Sequence, residues 1–286
     1  MSKNEQKIEK LRFDKKDLER LARLRLLDDD FMTKVFEDKE CAEILLQIIL
    51  DRKDLKVLRV QVQYTVKNLQ GRSVRLDILA VDETGKIYDI EIQRDDKGAG
   101  TKRARYNSSM LDANITEPGE EFEKLPETYV IFITENDVLG GNLPIYHIDR
   151  TIQESKELFQ DESHIIYVNS QITDETELGK LMQDFRCTNA KDMNNPVLAK
   201  RVSYFKEDQE GVAVMCKEME LMREEVREET TKKVREETTK KVREETTKKA
   251  IRNMLAKSFS KEQIKLALDV TDADIQKVEE ELLVHN

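Results

Sequence analysis

The sequence has few of the residues that build disulfide frameworks, zinc sites or membrane spans. Its three cysteines, Cys41, Cys187 and Cys216, lie far apart without a CxxC pair, so neither a disulfide framework nor a cysteine zinc site is expected. The three histidines have no metal-ligand spacing either. The longest apolar run, residues 44–50, is interrupted by Gln47 and is too short to cross a bilayer.

The chain also lacks an excess of positive charge. The 286 residues include 49 Lys and Arg against 59 Asp and Glu, a net charge of −10, which argues against a simple basic coat for nucleic acid. A local basic groove remains compatible with this balance. The charged N-terminus lacks the apolar segment of a secretory signal, so a cytoplasmic location and no membrane partner are expected.

A short hairpin pattern is the most informative feature that is present. Residues 76–82 and 86–93 read as two strands joined by a turn that Gly85 closes, since glycine tolerates a positive φ. If Asp82 pairs with Lys86, counting back along both strands places Asp77 directly opposite Glu91. The hairpin therefore predicts two carboxylates side by side on one face of a sheet.

Such a pair has a chemical consequence. Directly opposed side chains have Cβ atoms about 4.5–5.5 Å apart, and two carboxylates at that separation repel each other unless a proton or a cation lies between them. Mg²⁺ suits a site with one or two carboxylates. Gln93 shares the face of Glu91 and adds an amide. The alternative is a solvent-exposed strand face without chemistry.

The flanking segments predict a larger sheet. Residues 57–66 alternate with the period of a half-buried strand, and their apolar side is predicted to hold Leu58, Val60, Val62, Tyr64 and Val66. A mostly buried helix is predicted before this strand, a helix after the hairpin, and an apolar strand after that helix. These segments are residues 41–50, 101–115 and 129–134. The predicted order is αβββαβ.

This order, with the carboxylates in those places, resembles the PD-(D/E)XK nuclease superfamily, and within it the bacterial nuclease family transposases related to recombination-promoting nucleases. The resemblance covers about residues 20–205. It implies an α/β fold, a restriction-endonuclease-like αβββαβ core with a mixed sheet. It also identifies Asp77 as the signature acid and Glu91-Ile92-Gln93 as the (D/E)XK triplet. Two positions differ from the family pattern, because Leu76 replaces the proline and Gln93 replaces the lysine.

The resemblance implies a metal-dependent DNA endonuclease of a mobile-element or recombination-promoting family, with Mg²⁺, or Mn²⁺ in its place, as cofactor. Asp77 and Glu91 would bind the metal together with the backbone carbonyl of Ile92, and Gln93 would orient the attacking water. The acidic residue on the first helix of the family falls on Glu43. The alternative is a catalytically weak or inactive nuclease-fold protein that binds DNA or a protein partner.

A basic cluster follows the triplet and is the candidate contact for DNA phosphates. Its residues are Arg94, Lys97, Lys102, Arg103 and Arg105. Two interpretations stay open, a contact with the DNA backbone and a solvated helix face balanced by nearby acids.

The chain is expected to divide into four segments, which are an N-terminal helical extension (1–28), the nuclease-like domain (29–205), a long charged helix (206–257) and a small helical tail (258–286). The long helix contains Val-Arg-Glu-Glu-Thr-Thr-Lys-Lys three times without change, from residue 226 to residue 249. An eight-residue period rotates each copy by about 80° on a helix, so the valines form no coiled-coil seam. A solvated spacer is predicted, and this C-terminal helical region is the expected surface for any homo-oligomer.

Overall fold

The structure is a computed structural model that describes residues 13–68, 71–116 and 118–284. Residues 1–12 of the predicted N-terminal extension lie outside the described residues. By its internal contacts the chain divides into two compact units, Met1–Met219 and Glu220–Asn286. The candidate site lies in the first unit.

One mixed six-stranded sheet forms the centre of the first unit. The strands are β1 (Val57–Val66), β2 (Val74–Asp82), β3 (Ile87–Gln93), β4 (Thr128–Thr134), β5 (Ile145–Ile148) and β6 (Ser163–Asn169). Their order is β1-β2-β3-β4-β6-β5. The pairs β1–β2, β2–β3 and β5–β6 are antiparallel, whereas β3–β4 and β4–β6 are parallel.

The hairpin between β2 and β3 has the predicted register. Gly85 has φ 87°, and its N–H donates to the carbonyl of Asp82 at 3.1 Å. The Asp82 N–H donates to the Lys86 carbonyl at 3.1 Å, which closes the three-residue turn. Further along, Ile78 pairs with Ile90. The next position along both strands brings Asp77 opposite Glu91, as the sequence predicted.

Helices cover both faces of the sheet. They are α1 (Lys15–Arg23), α2 (Asp29–Phe36), α3 (Lys39–Ile49), α4 (Thr101–Ile115), α5 (Glu177–Arg186) and α6 (Pro196–Glu207). The first residues of α7 (Gln209–Ala256) join the same core through Val212, Met215 and Met219, and the helix continues into the second unit. The larger core joins side chains of α2 and α3, such as Phe31 and Leu45, to Tyr88 and Ile90 of β3. On the other face, Ala104 of α4 packs with Phe132. Alternate residues of β3 therefore face opposite layers.

The predicted αβββαβ order is confirmed by α3, β1, β2, β3, α4 and β4. The predicted apolar side of β1 is partly wrong, because Leu58 is 61% exposed and Tyr64 is 40% exposed. The register shifts between Val57 and Arg59, and Gln63 has φ 53°. These two irregularities interrupt the alternation of an edge strand.

The C-terminal region is helical, as predicted. Helix α7 carries the three octapeptides, and Val226, Val234 and Val242 are exposed, in keeping with a solvated spacer. In the second unit, α8 (Lys261–Leu268) and α9 (Asp272–Val284) contribute to a small apolar cluster that includes Ile251 and Ile275. A capping box formed by Ser260 and Gln263 begins α8. Within the described ranges, no helix is long and apolar enough to cross a membrane.

Candidate active site

Two acidic side chains meet where β2 and β3 pair. Glu91 is fully buried, and its Oε1 accepts a hydrogen bond from the backbone N–H of Asp77 at 3.3 Å. Asp77 is partly exposed, and its Oδ2 accepts from the backbone N–H of Ile92 at 3.1 Å. Each carboxylate is thus held by the strand that carries the other one. The arrangement is fixed by the hairpin backbone.

The side-chain amide of Gln93 reaches both carboxylates. Its Nε2 lies 3.5 Å from Asp77 Oδ2 and 3.4 Å from Glu91 Oε2. On its other side, Gln93 Oε1 accepts from Arg103 Nη1 at 3.5 Å. A Cβ built on Gly98 would lie only 2.1 Å from Gln93 Oε1, so glycine leaves the room that the amide occupies. The side chains of Asp77, Glu91 and Gln93 therefore touch one another and are called the contact group below.

The electrostatics of the pair favour a cation. Burial raises the pKa of Asp77, and the charge of Asp29 raises it further. Burial also raises the pKa of Glu91, and the Asp89 and Asp77 carboxylates add to that effect. One cation opposes this, because Arg103 Nη2 lies 2.7 Å from Glu91 Oε2. Negative charge at this pair is therefore costly until a positive charge joins it.

A further buried acid, Asp89, lies two residues before Glu91 on the same face of β3. Asp89 is fully buried, and its Oδ2 accepts from Asn107 Nδ2 of α4 at 3.3 Å. Burial raises the pKa of Asp89. Its other oxygen and Asn107 Oδ1 are both buried acceptors without a hydrogen-bond partner. The raised pKa favours the neutral carboxylic acid at Asp89, in which one of the two oxygens carries a proton.

One helix acid whose charge reaches the pair is Asp29, which the sequence analysis did not single out. Asp29 begins α2, and its charge acts on Asp77. Glu43, which the sequence assigned to this cluster, lies elsewhere and binds Lys56 and Val57 instead. Glu43 Oε1 accepts from Lys56 Nζ at 2.8 Å and Oε2 from the Val57 N–H at 2.9 Å.

The register explains why Glu43 is remote. Val57 pairs with Asp82, and Asp82 is five residues along β2 from Asp77. At about 3.4 Å per strand residue, Glu43 is bound near the far end of the sheet. The sequence did contain a signal for Asp29. Asp29 and Asp30 stand together in the first turn of α2, the helix that directly precedes α3.

The structure gathers three of the five predicted DNA-contacting residues. Lys97, Lys102 and Arg103 line one hollow beside the acidic pair, which is called the first hollow below. Arg72 and Arg75, which the sequence reasoning did not include, line it as well.

The other two predicted residues lie elsewhere. Arg94 pairs with Asp28 at 2.7 Å and with Glu135 at 3.1 Å, and it lines a different hollow. Arg105 is exposed and lines neither hollow. The basic cluster of the sequence is therefore split in space. Arg94 directly follows β3, before α4, and its ion pairs with Asp28 and Glu135 hold it at the other hollow.

The donor set fits a hard divalent cation of the Mg²⁺ type. Asp77, Glu91 and the Ile92 carbonyl are oxygen donors, which hard cations prefer. Burial, and after it the charge of neighbouring acids, raises the pKa of both carboxyl groups, so a cation would favour their ionised forms. Among the residues that the structure describes, no group of three or more His, Cys, Asp or Glu side chains is arranged to hold a metal ion. Mg²⁺ tolerates this, since it keeps several waters and needs one or two carboxylates.

The αβββαβ core and the Asp77, Glu91, Gln93 constellation define a protein with the PD-(D/E)XK nuclease fold. The family model described as PD-(D/E)XK nuclease family transposase matches residues 31–258, and the chain belongs to that family. Comparison with the curated proteins and with the solved structures gave no significant match. The family indicates a nuclease-like hydrolase, and PD-(D/E)XK nucleases generally use divalent metals.

Proposed function

We propose that this protein is a metal-dependent endonuclease that hydrolyses DNA phosphodiester bonds at the Asp77–Glu91 pair. The observation that carries the proposal is the contact group itself. Two opposed carboxylates, one of them fully buried, share the amide of Gln93 at 3.4–3.5 Å. Burial of two like charges lowers the stability of the fold, and a bound cation would remove much of that cost.

Asp77, Glu91 and the Ile92 carbonyl would hold Mg²⁺ or Mn²⁺, with Asp29 as a further acid at the mouth of the site. When bound, the ion would polarise the phosphoryl oxygen and lower the pKa of a bound water. Gln93 would orient that water through its amide. Because Gln93 carries no charge, Arg103 is the cation that contacts the group. Its guanidinium is suited to bind the phosphate that loses its ester bond.

The test is cleavage of supercoiled plasmid by the purified full chain in Mg²⁺ or Mn²⁺, compared with EDTA. Nicking that needs the metal and falls at least about a hundredfold in Asp77→Ala and Glu91→Ala would support the proposal. Glu43→Gln is the matched control, since Glu43 is an acid outside the group, and this variant is expected to cleave like the wild type. Equal cleavage by the wild type and both alanine variants would contradict the assignment.

A second candidate function is DNA or partner binding without turnover. It is favoured by the contact of Arg103 Nη2 with Glu91 Oε2. In this contact a cation of the protein itself already neutralises a carboxylate that a metal ion would need as a ligand. Retention of duplex DNA by a wild-type protein that leaves plasmid intact in both metals would favour this candidate.

A further inference from the structure

A second hollow adjoins the candidate site on the side of the N-terminal helix. Its lining includes Ile92 and Gln93 of the site together with residues of α1. Three of these are the cations Lys16, Arg20 and Arg23. Their spacing of four and three residues places them along one face of the helix. A cationic stripe thus forms one wall of the hollow in which the Gln93 amide lies.

Two of the three cations have no acidic partner among the residues that the structure describes. Arg20 Nη2 pairs with Asp30 Oδ2 at 2.7 Å. Lys16 and Arg23 are exposed and form no ion pair within residues 13–68, 71–116 and 118–284. In a chain with ten excess negative charges, unpaired cations beside a candidate site are available for an anion from outside.

The acids that line the same hollow are mostly engaged. Asp28 is contacted by Arg94 Nη1 at 2.7 Å and by Arg25 Nη2 at 3.6 Å. Asp95 Oδ1 accepts from the backbone N–H of Lys97 at 3.0 Å. Glu19 lines the hollow as well, on the same face of α1, and it pairs with Lys15 at 3.8 Å. Asp30 is the partner of Arg20, and Asp29 is the acid assigned above to the metal side. With three cations against Glu19, this face of α1 keeps a net positive charge.

Helix α1 is firmly attached to the core, so the stripe has a fixed place. Leu21 is 2% exposed and belongs to the main apolar core. Asp14 caps the start of the helix by accepting from the Lys16 N–H at 3.0 Å. At the other end, Lys206 Nζ donates to the carbonyls of Ala22 and Leu24. A wall held at both ends can position a ligand without first being ordered.

The two hollows meet at the site. Gln93 lines the second hollow, Arg103 lines the first, and their side chains are in contact at 3.5 Å. Arg72, Lys97 and Lys102 of the first hollow also lack ion pairs in the described part of the chain. Cations without partners therefore stand on both sides of the Gln93–Arg103 contact.

We propose that α1 is a second phosphate-binding wall, and that the DNA backbone runs from the first hollow past Gln93 to Lys16 and Arg23. This inference rests on the proposed function. It goes beyond the family match, which begins at residue 31 and leaves α1 outside. Its occupant is the phosphodiester backbone, whose charge spacing suits a row of cations and whose contacts dominate affinity for nucleic acid.

The test is binding of a fluorescein-labelled duplex to the full chain in EDTA, followed by anisotropy between about 50 and 200 mM salt. Lys16→Gln/Arg23→Gln is compared with Lys191→Gln/Lys200→Gln, which removes two exposed charges that line neither hollow. The first variant is expected to bind roughly tenfold more weakly and to reduce the slope of log K against log salt by about two. The control should keep both values.

Circular dichroism melting of the two variants checks that each is folded. Wild-type affinity and salt slope in Lys16→Gln/Arg23→Gln would overturn the wall while leaving the proposed function intact, provided that the wild type binds and cleaves DNA. A wild type that neither binds duplex nor nicks plasmid would overturn the proposed function, and the wall with it. A charge reversal, Lys16→Glu/Arg23→Glu, is expected to weaken binding further, and an unchanged affinity in that variant would also overturn the wall.

Discussion

At the residue scale, the candidate site is a small group of polar side chains placed against the preference of the core. Glu91 is fully buried, and its nearest charged neighbours include another acid. Such an arrangement lowers stability, because each ionised carboxylate loses its water and faces a like charge. The Gln93 amide and the Arg103 guanidinium reduce this cost without removing it.

Gly98 gives a prediction about the placement of Gln93. In Gly98→Ala, the new Cβ would lie 2.1 Å from Gln93 Oε1, so the amide must leave the position in which it contacts the two carboxylates. We expect plasmid cleavage to fall at least about tenfold, because reacting groups are misplaced. The free energy of unfolding should change by less than about 1 kcal/mol, because the end of a flexible side chain yields easily. Cleavage rates and urea unfolding measure the two effects.

Gly100→Ala is the matched control for this prediction. A Cβ at Gly100 meets no atom within 4 Å, and its φ of −62° suits any residue. It should retain wild-type cleavage while losing at most about 1 kcal/mol, since alanine is a poorer helix cap than glycine. Equal activity of the two variants would show that the position of the Gln93 amide is unimportant.

The sequence could predict the residues that face each other within one hairpin, and it could not predict those that meet through packing. Asp77 and Glu91 follow from a turn length and the period of a strand. Glu43 and Asp29 are both acids on helices before the sheet. Which of them approaches Asp77 depends on how α2 and α3 pack on the sheet, and a helical pattern does not encode that distance.

At the element scale, the β2–β3 turn sets the register on which the site depends. Asp82 is buried, and its Oδ1 accepts from Thr84 N, Thr84 Oγ1 and Lys86 N at 2.7–3.0 Å. Its Oδ2 accepts from the hydroxyl of Tyr88 at 2.8 Å. One carboxylate therefore holds the turn together and joins it to the core.

Asp82→Ala is expected to cost about 2–4 kcal/mol in the free energy of unfolding, because four hydrogen bonds lose their acceptor and one of them comes from the buried hydroxyl of Tyr88. Tyr88→Phe, which removes one of these bonds, should cost about 1 kcal/mol. Urea unfolding at neutral pH measures both values. Equal stability of Asp82→Ala and the wild type would show that the turn does not need the carboxylate.

The effect of Asp82 should also depend on pH. Burial opposes its ionisation, but the bonds from Thr84, Tyr88 and Lys86 outweigh burial and lower its pKa. A lowered pKa means that the unfolded chain takes up the proton first as the pH falls. The stabilisation is therefore complete above the ordinary pKa near 4 and is lost below it. The difference between wild type and Asp82→Ala should shrink on acidification.

Strand β1 shows where the pattern of a single element fails. Strict alternation predicted that Leu58 and Tyr64 are on the buried side, yet both are exposed. The register shift after Val57 and the positive φ of Gln63 each change which face the following residues occupy. Alternation cannot reveal such irregularities, because they arise from pairing with β2.

At the scale of the whole molecule, the chemistry belongs to the first unit, and the repeats are a separate feature. The valines of the three octapeptides are 56–63% exposed, and the threonine hydroxyls that donate do so to carbonyls four residues earlier in the same helix. The composition and the eight-residue period were sufficient to predict this solvated helix. They do not say what the second unit does.

Deletion of the middle copy, residues 234–241, is expected to leave the rate of plasmid cleavage within about twofold of the wild type. The flanking copies are identical, so the shortened helix keeps its sequence pattern, and the deleted residues hold no member of the candidate site. Cleavage by the purified deletion variant is the measurement. A tenfold loss would assign the repeat a part in the reaction.

The central claim is that Asp77 and Glu91 together bind a divalent cation, and the melting temperature with and without Mn²⁺ tests it most directly. A ligand that binds the folded chain raises its melting temperature. We predict a rise for the wild type and for Glu43→Gln, and none for Asp77→Asn or Glu91→Gln. The same rise in all four proteins, or none in the wild type, would contradict the account.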